Sequence, residues 1–394
     1  MIGFTKLLCG TATVSDALKY GGVTPSEVPP ELLQFTTESR PITVWNITKR
    51  CNLKCKHCYI GAENKSFKGE LTTEEALALI EDLGEMKTPV LLFSGGEPTI
   101  RKDFFELGSK ATDLKIRAVV STNGTLITPE FAEKMLSSGF KYVGVSIDGL
   151  PDVHNAFRGV PNAFERSING IKNAMDAGLK TGVRFTVSKF NYQDLAGVID
   201  QVVDLGVPRF CMYHLVYAGR GKDLAGEDLT NEQNRELVKF LIEKTLELHD
   251  NGVEIEILTT DNHADGVYLR NYMEEHNPGR ADEVMQLLEM HGGCSAAHKT
   301  SNVDPFGNIH PCQFWSHLSL GNVRERRFSG IWNDPDNDFL KQMRNKPTYL
   351  KGKCGRCGFN NVCGGCRIRA ETLYDDIWSE DPACYLTEEE IKRT

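Results

Sequence analysis

Three cysteines in one short loop, Cys51-Asn-Leu-Lys-Cys55-Lys-His57-Cys58, constrain this chain more than any other stretch. They directly follow the strand-like run Ile42-Thr-Val-Trp-Asn-Ile47, which places them at a strand end. A C-x3-C-x2-C loop offers three thiolates to one metal centre and no fourth. A closed zinc site takes four ligands, usually as two C-x2-C pairs. A four-iron cluster on three thiolates keeps one iron free for a substrate or cofactor. A zinc loop that borrows a distant fourth ligand is the competing reading.

Composition narrows the setting. The chain has 394 residues, enough for one large domain and a smaller one. Its net charge of -9 argues against a general nucleic-acid binder, which needs a basic surface to displace counterions. No apolar run approaches the roughly 20 residues of a membrane span. The opening Met1-Ile-Gly-Phe-Thr-Lys-Leu-Leu-Cys-Gly lacks the apolar core of a signal peptide. These features predict a cytoplasmic protein, in which twelve cysteines point to metal or redox chemistry more than to disulfides. Cys9 and Cys211 stand apart from the others and are expected to be ordinary thiols.

Residues 1–40 read as an extension packed on the main domain, broken by Pro25, Pro29 and Pro30. From residue 42 to about 214, apolar runs at 42–47, 90–93, 116–121, 142–147, 181–187 and 209–213 alternate with helical patterns. Thr72-Thr-Glu-Glu75 is a capping box, and Thr128-Pro-Glu-Phe puts proline in a first helical turn. Six β–α units in series imply a parallel sheet with helices outside, open or closed. A long helix over 230–250, a strand over 253–258 and a polar helical stretch over 259–293 follow.

Ligand-binding turns are expected just after the strands. After the second comes Ser94-Gly95-Gly96-Glu97-Pro98, where glycines admit a ligand to the backbone and Glu97 offers a carboxylate. After the third and fourth come Ser121-Thr122-Asn123-Gly124 and Ser146-Ile147-Asp148-Gly149, whose short polar side chains can bond a ribose or a carboxylate. Each also reads as an ordinary tight turn. His154-x3-Arg158 lies beyond them.

Cys51-x3-Cys55-x2-Cys58 followed by aromatic Tyr59, with Gly95-Gly96-Glu97-Pro98 downstream, resembles the radical S-adenosylmethionine (SAM) superfamily. The resemblance implies an α/β fold, a partial (β/α)6 barrel open on one side. It also implies a [4Fe–4S] cluster on Cys51, Cys55 and Cys58 whose fourth iron is chelated by SAM. By the same resemblance Tyr59, Gly95, Gly96, Glu97, Pro98, Thr122, Asn123, Ser146, Asp148 and Arg158 are expected around SAM. Asn155 stands where the family usually has an aspartate after the histidine.

The other seven cysteines fall between Cys294 and Cys384. Cys354-x2-Cys357-x5-Cys363-x2-Cys366 lies among glycines in small loops, a module that bound metal must help to fold. On spacing alone a zinc ribbon competes. Cys294-x12-Gly307-x4-Cys312 and the later run resemble the SPASM domain of radical SAM enzymes, although its usual last spacer is three rather than two. The resemblance implies one or two auxiliary [4Fe–4S] clusters: Cys354, Cys357, Cys363 and Cys384 around one, and Cys294, Cys312 and Cys366 around the other with an open or non-cysteine position. His298, His310 and His317 are candidate ligands there. The resulting layout is an N-terminal extension at 1–40, a radical SAM core at 41–225, a helical linker region at 226–293 and a cysteine-rich C-terminal iron–sulfur domain at 294–394.

Val44-Trp-Asn-Ile-Thr-Lys-Arg-Cys51, Gly69-Glu-Leu-Thr72, Val303-Asp-Pro-Phe-Gly-Asn-Ile-His310-Pro-Cys312-Gln-Phe-Trp315, Lys6-Leu-Leu-Cys-Gly and Ser15-Asp-Ala-Leu-Lys-Tyr20 are similar to the tetrapyrrole-processing branch of that family. Within it the resemblance favours the 12,18-didecarboxysiroheme deacetylases, which remove acetate side chains to give Fe-coproporphyrin. Relatives that convert the same acetates in haem d1 synthesis, and SPASM peptide-modifying maturases, are the alternatives. The implied partners are a tetrapyrrole substrate and an external electron donor such as ferredoxin or flavodoxin, with no nucleic acid and no membrane. Arg324, Arg326, Arg327, Arg367 and Arg369 are candidates to meet substrate carboxylates. A non-enzymatic iron–sulfur or zinc module has no use for the Gly-Gly-Glu-Pro turn.

Overall fold

The computed structural model describes residues 1–11, 13 and 36–392. The Ser15–Tyr20 stretch and the three prolines of the lead-in lie outside the described residues. The strands, in chain order, are β1 (Ile2–Gly3), β2 (Ile42–Asn46), β3 (Val90–Ser94), β4 (Arg117–Thr122), β5 (Tyr142–Ser146), β6 (Lys180–Thr186), β7 (Arg209–Tyr213), β8 (Glu256–Thr260), β9 (Thr300–Val303), β10 (Asn308–His310) and β11 (Gly321–Asn322). They form one sheet in the order β1-β8-β7-β6-β5-β4-β3-β2-β9-β10-β11, open at both ends.

The α/β class stands, with two differences from the expected barrel. Seven strands, β2 to β8, run parallel in unbroken succession, where six were expected. The seventh, β8, begins three residues later than its apolar run suggests. Ile255 still belongs to a turn closed on Val253, and Arg209 and Glu256, which face each other in the register, form a buried ion pair at 3.1 Å. The sheet is also mixed. β1 adds to β8 antiparallel, and β9 extends the other edge parallel to β2 before turning into an antiparallel meander.

Helices between the parallel strands cover the outer face, as right-handed crossovers require. Their starts follow the chemistry of their first turns. Thr72 and Glu75 close a capping box on the Thr73–Glu85 helix, and Thr128 accepts from Phe131 N ahead of Pro129. The buried layer between sheet and helices includes Trp45, Phe93, Phe104 and Phe140, the last two rings stacked at 4.7 Å. Each such ring contributes roughly 2–3 kcal/mol by leaving water. This packing fixes the strand ends, and the strand ends carry the chemistry.

Candidate functional site

β2 runs into the cysteine loop, and two backbone bonds tie that loop to the turn after β3. Gly96 N donates to Thr48 O and Glu97 N to Arg50 O, both at 2.8 Å. A Cβ on Gly96 would stand 2.2 Å from Arg50 O, so only glycine lets the two turns meet. A second pair of bonds docks the loop on the Pro151–Arg158 helix: Lys54 N donates to Arg158 O and Lys56 N to Phe157 O.

Cys51, Cys55 and Cys58 line one wall of a cavity of about 950 Å³, measured out through its open mouth. Tyr59, Gly95, Gly96, Thr122, Asn123, Ser146 and Arg158 line it with them, at the carboxyl ends of the strands. The Tyr59 hydroxyl donates to Asn46 Oδ1 at 2.7 Å and lies 3.1 Å from Ser94 Oγ.

Glu97, Pro98 and Asp148 are not in the wall. Glu97 has no exposed surface, and its carboxylate accepts from Thr99 N, Thr99 Oγ1, Thr122 Oγ1 and Asn123 N at 2.6–3.2 Å. Burial pushes its carboxyl up, against the pull of those donors. Asp148, also unexposed, accepts from Thr186 N and lies 2.5 Å from the Arg158 guanidinium. His154 in turn accepts from Asp148 N at 3.0 Å; burial, then Arg158, brings its pKa down to about 3.

Residues that the sequence did not single out complete the cavity: Arg184, Tyr213, His214, Arg220, Asp261, Gln313 and Phe314. Arg184 rises from β6, bonds Ser121 Oγ and packs 4.6 Å from the Tyr213 ring. Gly182, Arg184 and Thr186 share one face of β6, so a charged side chain between small ones in a buried strand was the available signal. Arg220 donates to Cys55 O and Ala62 O, while its Nη2 is buried without a hydrogen-bond partner.

The arginines proposed from sequence are used elsewhere. Arg324, Arg326 and Arg327 pair with Glu75, Asp334 and Glu85 on the surface. Arg367 and Arg369 are buried: Arg367 donates to Ile377 O, and Arg369 pairs with Asp381 at 2.8 Å and donates to Leu215 O and Asp261 O. The candidate histidine ligands are likewise engaged, His298 with Glu38, His310 with Leu318 O and His317 with Glu371.

The C-terminal cysteines separate into two groups. Cys354, Cys357, Cys363 and Cys384 line a second cavity of about 390 Å³. Cys294, Cys312 and Cys366 instead pack around Trp315, Ala297 and Val216, and Val216 lines the first cavity as well. Burial pushes the Cys51 thiol up to about 12 and those of Cys366 and Cys384 up to about 11, and raises Cys55, Cys312, Cys354, Cys357 and Cys363 too. Gathered, buried thiols of this kind are held as thiolates by a cation placed among them. Among the described residues no three His, Cys, Asp or Glu side chains converge at single-ion spacing. An iron–sulfur cubane carries its thiolates on separate irons, and these three- and four-cysteine groups offer thiolates for that arrangement. Cys9 and Cys211 join neither group, and Cys211 is buried within β7.

This fold and these cysteine pockets define a radical SAM enzyme with an appended iron–sulfur domain. A radical SAM superfamily model matches residues 45–202, and a SPASM iron–sulfur cluster-binding domain model matches 294–358. The crystal structure of Streptococcus suis SuiB bound to S-adenosylmethionine shares the fold, with a TM-score of 0.67 at 20% identity over 88% of this chain and 78% of that one. Fe-coproporphyrin III synthase of Methanosarcina barkeri is 47% identical over 99% of both chains. Pre-heme d1 synthase of Dinoroseobacter shibae is 41% identical over 91% of this chain and 89% of its own. The chain belongs to the radical SAM family that contains these haem-pathway enzymes. Its cofactors are a [4Fe–4S] cluster that binds SAM and auxiliary iron–sulfur clusters.

Proposed function

We propose that this enzyme removes acetate side chains from 12,18-didecarboxysiroheme to give Fe-coproporphyrin III. The observation that carries the reading is the 47% identity, end to end, with an enzyme named for that product. The cavity supports it: Arg184 and Arg220 bring cationic groups to its lining, which suits a macrocycle rich in carboxylates.

In this reading Cys51, Cys55 and Cys58 hold the SAM-binding cluster. Bound together, cluster and SAM would supply radical chemistry at an unactivated C–H bond. The chain's own residues bind and orient. Gly95, Gly96, Thr122, Asn123 and Ser146 line the SAM side of the cavity, and Tyr59 closes it beside Ser94. Glu97 and Asp148 act through others: Glu97 holds Thr122 and Asn123 in place, and Asp148 holds Arg158. Phe314, edge-on to Tyr59 at 5.4 Å, helps to exclude water at the mouth. Cys354, Cys357, Cys363 and Cys384 hold one auxiliary cluster, and Cys294, Cys312 and Cys366 hold a second with one position open. A ferredoxin or flavodoxin supplies electrons in the cytoplasm, where thiol ligands stay reduced.

Incubation of anaerobic holoenzyme with SAM, reductant and didecarboxysiroheme, followed by mass spectrometry, tests this. Loss of both acetates is the expected result, and an unchanged macrocycle rejects it. The 41% identity with a pre-heme d1 synthase favours a second reading, conversion of the same acetates in haem d1 synthesis, which product masses distinguish.

A further inference from the structure

A column of stacked groups runs from the cluster loop to the surface. His57, between Cys55 and Cys58, lies on Phe157 with ring centres 4.6 Å apart and planes 10° from parallel. Phe157 is fully buried and stacks in turn on Phe190 at 5.5 Å and 19°. Phe190 is 41% exposed, and the Lys56 ammonium sits 3.9 Å over its ring. The backbone bonds from Lys54 to Arg158 and from Lys56 to Phe157 hold the column in register.

Three exposed lysines, Lys54, Lys56 and Lys189, flank the column, although the chain carries a net charge of -9. Lys54 and Lys56 are exposed on the same loop whose cysteines face inward, and among the described residues neither has a carboxylate partner. Lys189, next to Phe190, is exposed as well and donates to Gly226 O. An apolar ring ringed by lysines is what an acidic protein partner requires: ring burial for contact, charge for orientation and fast encounter. Phe190 covers Phe157 with one face and leaves 41% of its surface in solvent.

We infer that Phe190, Lys54, Lys56 and Lys189 form the docking surface for an acidic one-electron carrier protein, with the His57–Phe157–Phe190 column lying between the carrier's redox group and Cys55 and Cys58. The carrier gives up one electron and the cluster on Cys51, Cys55 and Cys58 accepts it, with no atom transferred. This rests on the radical SAM reading of the cysteine loop, not on the identity of the substrate.

An acidic flavodoxin is the probe, and binding is measured on anaerobic holoenzyme without SAM or porphyrinoid, so the outcome stands whatever the substrate is. K54E/K56E should weaken binding about tenfold or more at low salt and flatten its salt dependence, while K341E, on an exposed helix elsewhere, changes it less than about twofold. Cluster reduction is then followed with reduced flavodoxin and, separately, with dithionite. In F190A the ratio of the flavodoxin rate to the dithionite rate should fall about fivefold, since contact at the ring is lost while a small reductant still reaches the cluster. Unchanged binding in K54E/K56E, or equal weakening in K341E, overturns the docking surface. A rate ratio unchanged in F190A removes the ring column from the path.

Discussion

The guanidinium of Arg158 donates to the Cys55 sulfur at 3.5 Å, placing a permanent cation against one sulfur of the cysteine loop. Its other nitrogen lies 2.5 Å from Asp148, so a buried acid balances the cation from behind. The two have opposite effects on an electron arriving at the cluster. Arg158→Met should lower the cluster's midpoint potential by roughly 60 mV, a tenfold change for a one-electron couple, and Asp148→Asn should raise it. Potentiometric titration followed by EPR reads both signs. Shifts in the same direction would refute the pairing.

Among the described residues Glu97 is the acceptor for four buried donors. Glu97→Ala leaves Thr122 Oγ1, Thr99 Oγ1 and two backbone N–H groups without it. The expected cost is roughly 3 kcal/mol of stability, together with weaker SAM binding as the ends of β3 and β4 loosen. Urea denaturation and equilibrium dialysis with SAM check the two effects, and a variant as stable as the parent contradicts the role.

Stability should fall in mild acid through His154. Its folded-state pKa is held down at about 3, by burial and then by Arg158, while the unfolded chain takes up its proton near 6.5. The folded form therefore stays neutral as the unfolded form charges, and stability is lost as pH drops below the unfolded value. By about pH 5 the loss is about 2 kcal/mol. His154→Gln should make the pH dependence of the urea midpoint shallower by that amount. An equal slope in the variant would show that other groups carry it.

Cys363 lines the second cavity, whereas Cys366, three positions on, packs with Cys294 and Cys312 around Trp315. Cys363→Ala and Cys366→Ala should each remove about four irons, one cubane, and the double variant about eight. Iron analysis with Mössbauer spectroscopy distinguishes this from a single auxiliary cluster, in which the losses would not add.

Local features of the site were legible in the sequence, and long-range ones were not. The cysteine loop, the Gly95-Gly96 turn and the strand ends at Thr122 and Ser146 are fixed by a few neighbouring residues, so spacing marked them as candidates and the family resemblance gave the turns their role. The cysteine grouping followed from resemblance in the same way. What Glu97 touches is set by Thr99, Thr122 and Asn123 converging from two strand ends, and nothing near Glu97 in sequence announces that its carboxylate is already filled. Arg324 and Arg369 looked alike as cations, but one meets a surface Glu75 and the other a buried Asp381. The joining of β8 and β9 to opposite edges is non-local pairing, for which a short strand carries no mark of its partner.

β9 ties the two cysteine regions together through the sheet. Its residues belong to the C-terminal cysteine module, yet they run beside β2, the strand that delivers the first cysteine loop, with Thr43 and Ser301 hydroxyls 3.0 Å apart and Asn302 donating to Val44 O. The metal pockets are therefore not beads on a string. Their separation is written in the hydrogen-bond ladder of a single sheet, so any hop of charge between them crosses a gap of fixed length.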